Sequence, residues 1–397
     1  MAIIKPTLNL VASEYTPGII NMTRASSATR VNAAGFVELV GAGTLRYDHD
    51  PTTLAGKGWL IEEARTNLCL YSEDFTSWAN PSATVTANAF TSPDGNTTAD
   101  QLGFTSGAHP IYTTPTCVIN TTYVFSAFVK QGTSSTTTDI SMQCSDGVND
   151  GYVYFNFDTG VASISPGQTN SISSVGSIVY PDGWTRIWGV RIAKGTGCRI
   201  SFSPKTAGTY NFQAWGAQVE AGSFPTSYIP TTSAAVTRSL DSVSGTLPVT
   251  MNNNEGTLYC HIGGIPDTAS EGTNQLFSIS DGTGSNNIYF YIDGSGYLNG
   301  SIVDGGSNQG NIYENTATTD DEAEHRYVMV FETDDFKVAR DGSIGTADSS
   351  STMPDGLDTF HIGTSHGTTA PAKVHIKHIA VFSKAMSDAN LTTIMTG

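Results

Sequence analysis

Several groups of side chains in this sequence have the types and spacing that binding chemistry needs. Tyr289 and Tyr291 alternate with Ile288, Phe290 and Ile292; Tyr297 follows an Asp293-Gly294-Ser295-Gly296 turn, and Asn299 comes two residues later. Period-two alternation puts the tyrosines on the face opposite the aliphatic side chains. A sugar ring stacks on such aromatics while carboxylates and amides pair with its hydroxyls, so Tyr289, Tyr291, Tyr297, Asp293 and Asn299 form a candidate glycan surface. The same tyrosines equally suit plain cross-strand packing. Trp184, Arg186 and Trp188 share one strand face, and the two tryptophans carry the same two readings.

Other groupings point to hydrolysis or metal and fail on geometry. Gly363-Thr364-Ser365-His366-Gly367 fits the pattern of a nucleophile elbow, but that elbow must join a strand to a helix. Here Pro371 follows and a strand is predicted next, so a loop is expected. His375 and His378, with His361 and His366, have the residue type of a metal site. Positions i and i+3 of a strand face opposite sides, so His375 and His378 do not converge on one ion without a bulge.

The elements that must hold these residues are strands. Charged residues make up 14% of the chain, against roughly 25% in an ordinary soluble protein. Gly is 41, and Ser, Thr and Asn supply the polarity, a composition of short strands joined by turns. Tyr123–Val129 is a dense apolar run; Val153, Phe155 and Phe157 alternate on one face; Pro181-Asp182-Gly183 turns into another strand. Strand signals at about ten-residue spacing indicate sandwiches. Ser387 is placed to cap one short helix near the C-terminus.

Net charge is -17, from 19 Lys plus Arg against 36 Asp plus Glu, and no basic run offers a nucleic-acid surface. No apolar stretch of about 20 residues exists to cross a membrane. Cys69, Cys117, Cys144, Cys198 and Cys260 show no CxxC spacing and are odd in number. They are expected to be small buried hydrophobes of a chain made in a reducing cytoplasm.

The words of the sequence carry a resemblance. GWLIEEARTNLCLYSEDFTSW (Gly58 to Trp78) and FQAWGAQVEAGSFPTSYIPTTSAAVTRSLD (Phe212 to Asp241) resemble the opening and close of a β-sandwich module of bacteriophage tail proteins, similar to carbohydrate-binding modules. TRASSATRVNAAGFVELV (Thr23 to Val40) and RYDHDP (Arg46 to Pro51) resemble the segment before that module. Gly256 to Ile394, more loosely, resembles the laminin-G/concanavalin A-like fold. The expected architecture is all-β, with two tandem antiparallel sandwiches (jelly rolls): a lead-in at residues 1–57 that packs on the next domain or docks the chain to the virion, a first sandwich at 58–238 and a second at 239–397.

This resemblance implies a non-enzymatic virion protein of the tail fibre or tail-tip type, contacting other virion proteins and a host surface glycan, commonly as a homotrimer. The alternatives are a capsid fibre or decoration protein, or a polysaccharide-degrading enzyme. Glucanases of the concanavalin A-like fold carry Glu-x-Asp-x-x-Glu on one strand; Glu332-Thr333-Asp334 starts that string without completing it, and it falls at a predicted turn. Both sandwich types often hold a structural Ca²⁺, which by resemblance falls to Glu73 and Asp74.

Overall fold

The computed structural model describes residues 5–14, 18–105, 110–132, 139–167, 171–205, 208–251, 255–263, 274–314, 323–364 and 373–396. Among them the regular elements are strands, apart from the helix Asp388–Thr396 and short 3-10 turns. Four large antiparallel sheets pair into two sandwiches, each with its own apolar core.

One sandwich is built from both ends of the sequence. Its seven-stranded sheet runs in the order Ile20–Thr23, Ser242–Thr246, Thr359–Ile362, Asn274–Ser280, Asn287–Ile292, Leu298–Asp304, Ser307–Tyr313. The opposing sheet runs Ser343–Ile344, Asp335–Arg340, Glu324–Glu332, Glu255–Gly263, Val374–Phe382, Gly56–Ile61, Tyr47–His49, and Leu8–Val11 also pairs with Val374–Phe382. Four N-terminal strands therefore complete sheets whose other strands lie beyond residue 241. Their side chains explain why: Leu8, Leu10, Trp59 and Ile61 are buried in the same core as Leu258, Ile279, Phe290 and Ile379. Gly58 is required at this crossing. Its φ is +101°, and a Cβ there would stand 2.3 Å from the Ile376 carbonyl oxygen.

The other sandwich lies between these N-terminal strands and the rest. Its five-stranded sheet runs Ile111–Thr113, Arg199–Pro204, Asp139–Ser145, Asp150–Asn156, Val161–Ile164. Its six-stranded sheet runs Ser174–Val179, Thr185–Ile192, Thr122–Gln131, Tyr210–Ala221, Ala99–Phe104, Thr84–Phe90. Phe125, Met142, Phe155, Ile187, Phe202 and Phe212 fill the space between them. The second face of the six-stranded sheet is covered too: Phe128, Trp184 and Trp215 pack under Val31 and Val37 of the hairpin Ala28–Val31/Val37–Val40 and under Tyr228 of the proline-bounded exit.

The sequence-based division at residues 57 and 238 differs from this arrangement. The lead-in packs on both sandwiches: it supplies strands to the C-terminal one and a lid to the other, which makes that other sandwich an insertion. The chain leaves and returns through one narrow neck, where Arg65–Asn67 pairs with Val236–Arg238.

Beside this neck lies a buried ionic network. Arg46 Nη1 and Arg238 Nη1 reach Glu62 Oε2 at 2.8 and 2.9 Å; Arg24 Nη1 reaches Asp241 Oδ1 at 2.9 Å, and Arg46 Nη2 contacts the other Asp241 oxygen. All five side chains are fully buried. Ser227 closes the set by donating its amide and hydroxyl to Glu62 at 2.8 and 2.6 Å. Burial alone would raise the Glu62 carboxyl, but Arg238, Arg46, Lys373 and Ser227 outweigh it and hold it well below the usual carboxylate range.

The cysteines depart from expectation at two positions. Cys117 and Cys198 form a disulfide across 81 residues, while Cys69, Cys144 and Cys260 are free and buried. A bridge between Thr116 and Gly197 aligns the two loops, and their Cα atoms stand 5.7 Å apart, a spacing that suits a disulfide. Burial pushes the three free thiols well above their ordinary pKa. Thiol titration of the denatured, non-reduced chain should therefore find three reactive groups, and five after reduction. Cys117→Ser with Cys198→Ser should cost about 2–4 kcal/mol of stability. Five thiols without reductant would contradict the pairing.

Candidate functional site

The C-terminal sandwich has two outer faces of opposite character. That of the eight-stranded sheet is apolar where the helix Asp388–Thr396 covers it: Tyr259, Val328, Val330 and Phe382 lie under its Leu391 and Met395. Ser387 precedes this helix, and its carbonyl accepts from the amides of Asn390 and Leu391. The outer face of the seven-stranded sheet is polar, and the one described helix lies on the other side.

Register makes this polarity systematic. One cross-strand row runs Asn21, Ser244, His361, Ser278, Tyr289, Ser301, Asn311, through all seven strands. The adjacent row, one residue along and facing the core, runs Ile20, Gly245, Phe360, Ile279, Ile288, Ile302, Gly310. A one-residue offset switches the face, so hydroxyls, amides, an imidazole and a phenol line one side and apolar groups the other. A second polar row runs Gln275, Tyr291, Asn299, Tyr313.

Tyr289 and Tyr291 stack with ring centroids 5.7 Å apart and planes 29° from parallel. Each ring covers one face of the other, and both are half-buried. Burial, then Tyr289 and Asp293, raises the Tyr291 phenol, which keeps it a protonated donor. Tyr313, 57% exposed, stands at the far end of the second row. The sequence reading missed it, along with Gln275, Ser278, Ser301, Asn311 and His361 as members of the face.

Asp293 and Asn299 prove to be turn builders as well. Asp293 Oδ1 accepts from the amides of Ser295 and Tyr297 at 2.8 and 3.1 Å, and Asn299 Nδ2 donates to Asp293 Oδ2 at 3.0 Å and to the Tyr297 carbonyl at 2.9 Å. Their nitrogen and carboxylate capacity goes to holding the hairpin, which leaves Asn299 Oδ1 as an acceptor towards a ligand. Tyr297 is half-buried at the same turn.

The two tryptophans do not join this face, nor do they form a platform of their own. Trp184 is 1% exposed and donates Nε1 to the Thr91 carbonyl at 3.1 Å, so no sugar can stack on it. Trp188 is half-buried and lies flat against the edge strand Ser174–Val179, where a Cβ on Gly176 would stand 2.1 Å from its ring. Arg186, on the same strand face, is buried over the Phe128 ring and donates to the Thr226 carbonyl and the Ser126 hydroxyl. Of the two readings the sequence left for Trp184, packing is the one its covered sheet face fits.

Glu73 and Asp74 are engaged with the protein. Glu73 accepts from the Tyr228 hydroxyl at 2.9 Å, and burial raises its carboxyl. Asp74 caps the 3-10 turn Phe75–Ser77, accepting from the Thr76 amide at 3.0 Å and the Ser77 hydroxyl at 2.8 Å. Among the described residues no three His, Cys, Asp or Glu side chains gather as a metal would need. His375 donates Nε2 to Asp48 Oδ2 at 2.8 Å, whereas His378 pairs with Asn9 at 2.7 Å. Nδ1 of His375 is buried with no partner among the described residues, and burial lowers the pKa of its imidazole against the pull of Asp48. His366 and most of the Gly363–Gly367 string lie outside the described residues. Glu332 pairs with Asp335 around a tight turn at Thr333-Asp334, where Asp334 has φ +62°.

Fold and site together define an all-β protein of two sandwiches, one of which carries a polar, tyrosine-bearing sheet face. No protein-family model and no curated protein matches the sequence. Solved structures similar to it include the CBM40 carbohydrate-binding module of the Ruminococcus gnavus IT-sialidase, at 17% identity, covering 37% of this chain and 85% of that one with a TM-score of 0.32. A SAP-like pentraxin from Limulus polyphemus matches at 13% identity, over 36% and 70%, with a TM-score of 0.29. The binding domain of botulinum neurotoxin serotype G matches at 8%, over 39% and 40%, with a TM-score of 0.33. At these values the likeness says nothing about ligand.

Proposed function

We propose that this chain is a non-catalytic structural protein that contacts a cell-surface glycan through the outer face of its seven-stranded sheet. The observation that carries this is the row from Asn21 to Asn311, polar at every position, with the half-buried Tyr289–Tyr291 stack beside it. Hydroxyl-rich ligands need that combination of stacking surface and short polar groups. A catalytic reading would need two carboxylates facing each other across a sugar. On this face the strands carry neither Asp nor Glu towards solvent within these rows.

The finer reading is a bacteriophage tail-fibre or tail-tip protein, made in the host cytoplasm and assembled with other virion proteins as a homotrimer. It is supported by the tail-protein wording of Thr23–Val40, Gly58–Trp78 and Phe212–Asp241. Those words supply Arg24, Glu62, Ser227, Arg238 and Asp241 to the buried network at the neck, so the resemblance falls on residues with a physical task.

Binding of the purified chain to bacterial cells and to their extracted polysaccharide, with chromatography of the sugar afterwards, tests the function. Saturable binding with the glycan intact is expected. Shortened glycan would replace this reading with a hydrolase, and absence of binding would favour a capsid or decoration role. Tyr289→Ala and Tyr291→Ala should each weaken binding about fivefold, the loss of roughly 1 kcal/mol of aromatic contact. Undiminished binding by a folded double variant would place the site elsewhere.

A further inference from the structure

Charge is distributed unevenly across the C-terminal sandwich, and the pattern bears on what its polar face accepts. From residue 239 to residue 325 the sequence contains no Lys or Arg, while acidic residues recur throughout. The seven-stranded sheet takes five of its strands from that stretch, and its other two, Ile20–Thr23 and Thr359–Ile362, have no Lys or Arg either. Cations of this sandwich lie on the opposing sheet and its flanks, and four of them meet carboxylates there. Lys337 meets Asp335 and Asp388, Lys377 meets Glu324, Lys384 meets Glu255, and Arg340 stands 3.6 Å from Glu314. Carboxylates rim the polar face instead: Asp281 and Asp293 at its turns, and Asp304 at a strand end.

A second observation concerns hydrogen-bond direction. Gln275 Oε1 and Asn287 Oδ1, both on strands of this face beside the tyrosine pair, are buried acceptors without a donor among the described residues. Buried polar atoms are seldom left so, and what they lack is a donor. Sugar hydroxyls donate; carboxylate, sulfate and phosphate groups only accept.

We infer that this face takes an uncharged glycan and turns away polymers bearing carboxylate, sulfate or phosphate groups. The inference rests on the glycan-binding function proposed above and names its ligand class. An acidic polymer would find no guanidinium or ammonium to pair with. It would also approach a carboxylate rim on a chain of net charge -17, and each anionic group left unpaired in the contact is unfavourable. A neutral chain meets only stacking surface and reciprocal hydrogen bonds.

The test uses the full chain against immobilised neutral polysaccharides (a mannan, a galactan, a glucan) and acidic ones (hyaluronan, polygalacturonate, polysialic acid), at low and high NaCl. At least one neutral polymer should bind, with an affinity that changes less than about twofold with salt, and Tyr289→Ala/Tyr291→Ala should weaken that binding about 25-fold while circular dichroism stays native. Asn311→Lys, at an exposed position of the same row, should admit an acidic polymer at low salt. Acidic binding by the unaltered chain that weakens with salt and is lost in the tyrosine variant would overturn the inference and leave the glycan site standing. Failure of every polymer, or binding indifferent to both tyrosines, would overturn the site and the inference together.

Discussion

Glu62→Gln is expected to lower the unfolding free energy by about 3–5 kcal/mol at neutral pH, the scale for breaking a buried ion pair on one side. The substitution keeps the shape of the side chain and removes its charge. Arg46 and Arg238 then face one amide, and three buried guanidiniums are left with Asp241 as the one carboxylate they contact within the network. A pair on the surface would cost under about 1 kcal/mol, so the size of the loss reports the burial. Acid gives an independent reading of the same group. Because the folded carboxyl lies below its unfolded value of 4.5, the unfolded chain binds the proton first as pH falls. The contribution of Glu62 is thus fully present above about pH 4.5 and is lost progressively below it. Urea midpoints across pH 3–7 should show a shallower acid decline in the variant than in the parent. A midpoint shift of under about 1 kcal/mol at pH 7 would mean that the network is not closed to water.

The network also shows what sequence patterning conceals. Glu62 and Arg238 sit in polar stretches with no pattern to mark them as buried, and no local signal says that three arginines from positions 24, 46 and 238 converge. Local features were legible. The Tyr123–Val129 run, the Asn287–Ile292 alternation and the Asp293–Gly296 turn are strand, strand and hairpin in the structure, because period-two burial needs only near neighbours. Pairing partners were not legible. Leu8 lies opposite Val381, and Ile20 opposite Gly245, and strands of four residues carry too little pattern to announce either partner. Cys117 and Cys198 stayed hidden for the same reason, being brought together by a loop-to-loop bridge.

The candidate site divides in the same way. Tyr289 and Tyr291 could be found by alternation alone, but the serines, His361 and Tyr313 that extend them depend on register between strands far apart in sequence. One overlooked signal was readable in advance: the run of residues 239–325 without a cation marks the strands of the uncharged face. Trp184 stayed ambiguous because alternation reports which face a residue is on, and not whether something covers that face. Here the cover is the hairpin Ala28–Val31/Val37–Val40, more than 140 residues earlier in the chain.

Nesting of one sandwich within the other leads to a stronger expectation: residues 239–397 made alone should not fold. That fragment lacks Leu8–Val11, Ile20–Thr23, Tyr47–His49 and Gly56–Ile61. Val374–Phe382 would lose two pairing partners, and Ser242–Thr246 would become an open edge. Leu8, Leu10, Trp59 and Ile61, each 4% exposed or less, would leave the core. At roughly 1.5–3 kcal/mol per buried side chain they contribute about 6–12 kcal/mol, as much as the whole stability of an ordinary domain. The neck supplies the contrasting case. Asn67 and Val236 are register partners, so an Asn-Gly turn joining them in place of residues 68–235 closes a two-residue hairpin of favoured type. The shortened chain keeps every strand of the C-terminal sandwich and loses only the Ser227 contacts from around Glu62. Near-ultraviolet circular dichroism and urea unfolding should show a cooperative fold for the spliced chain and none for the 239–397 fragment. A fragment that unfolds cooperatively with native dichroism would show that the N-terminal strands decorate this sandwich without completing it.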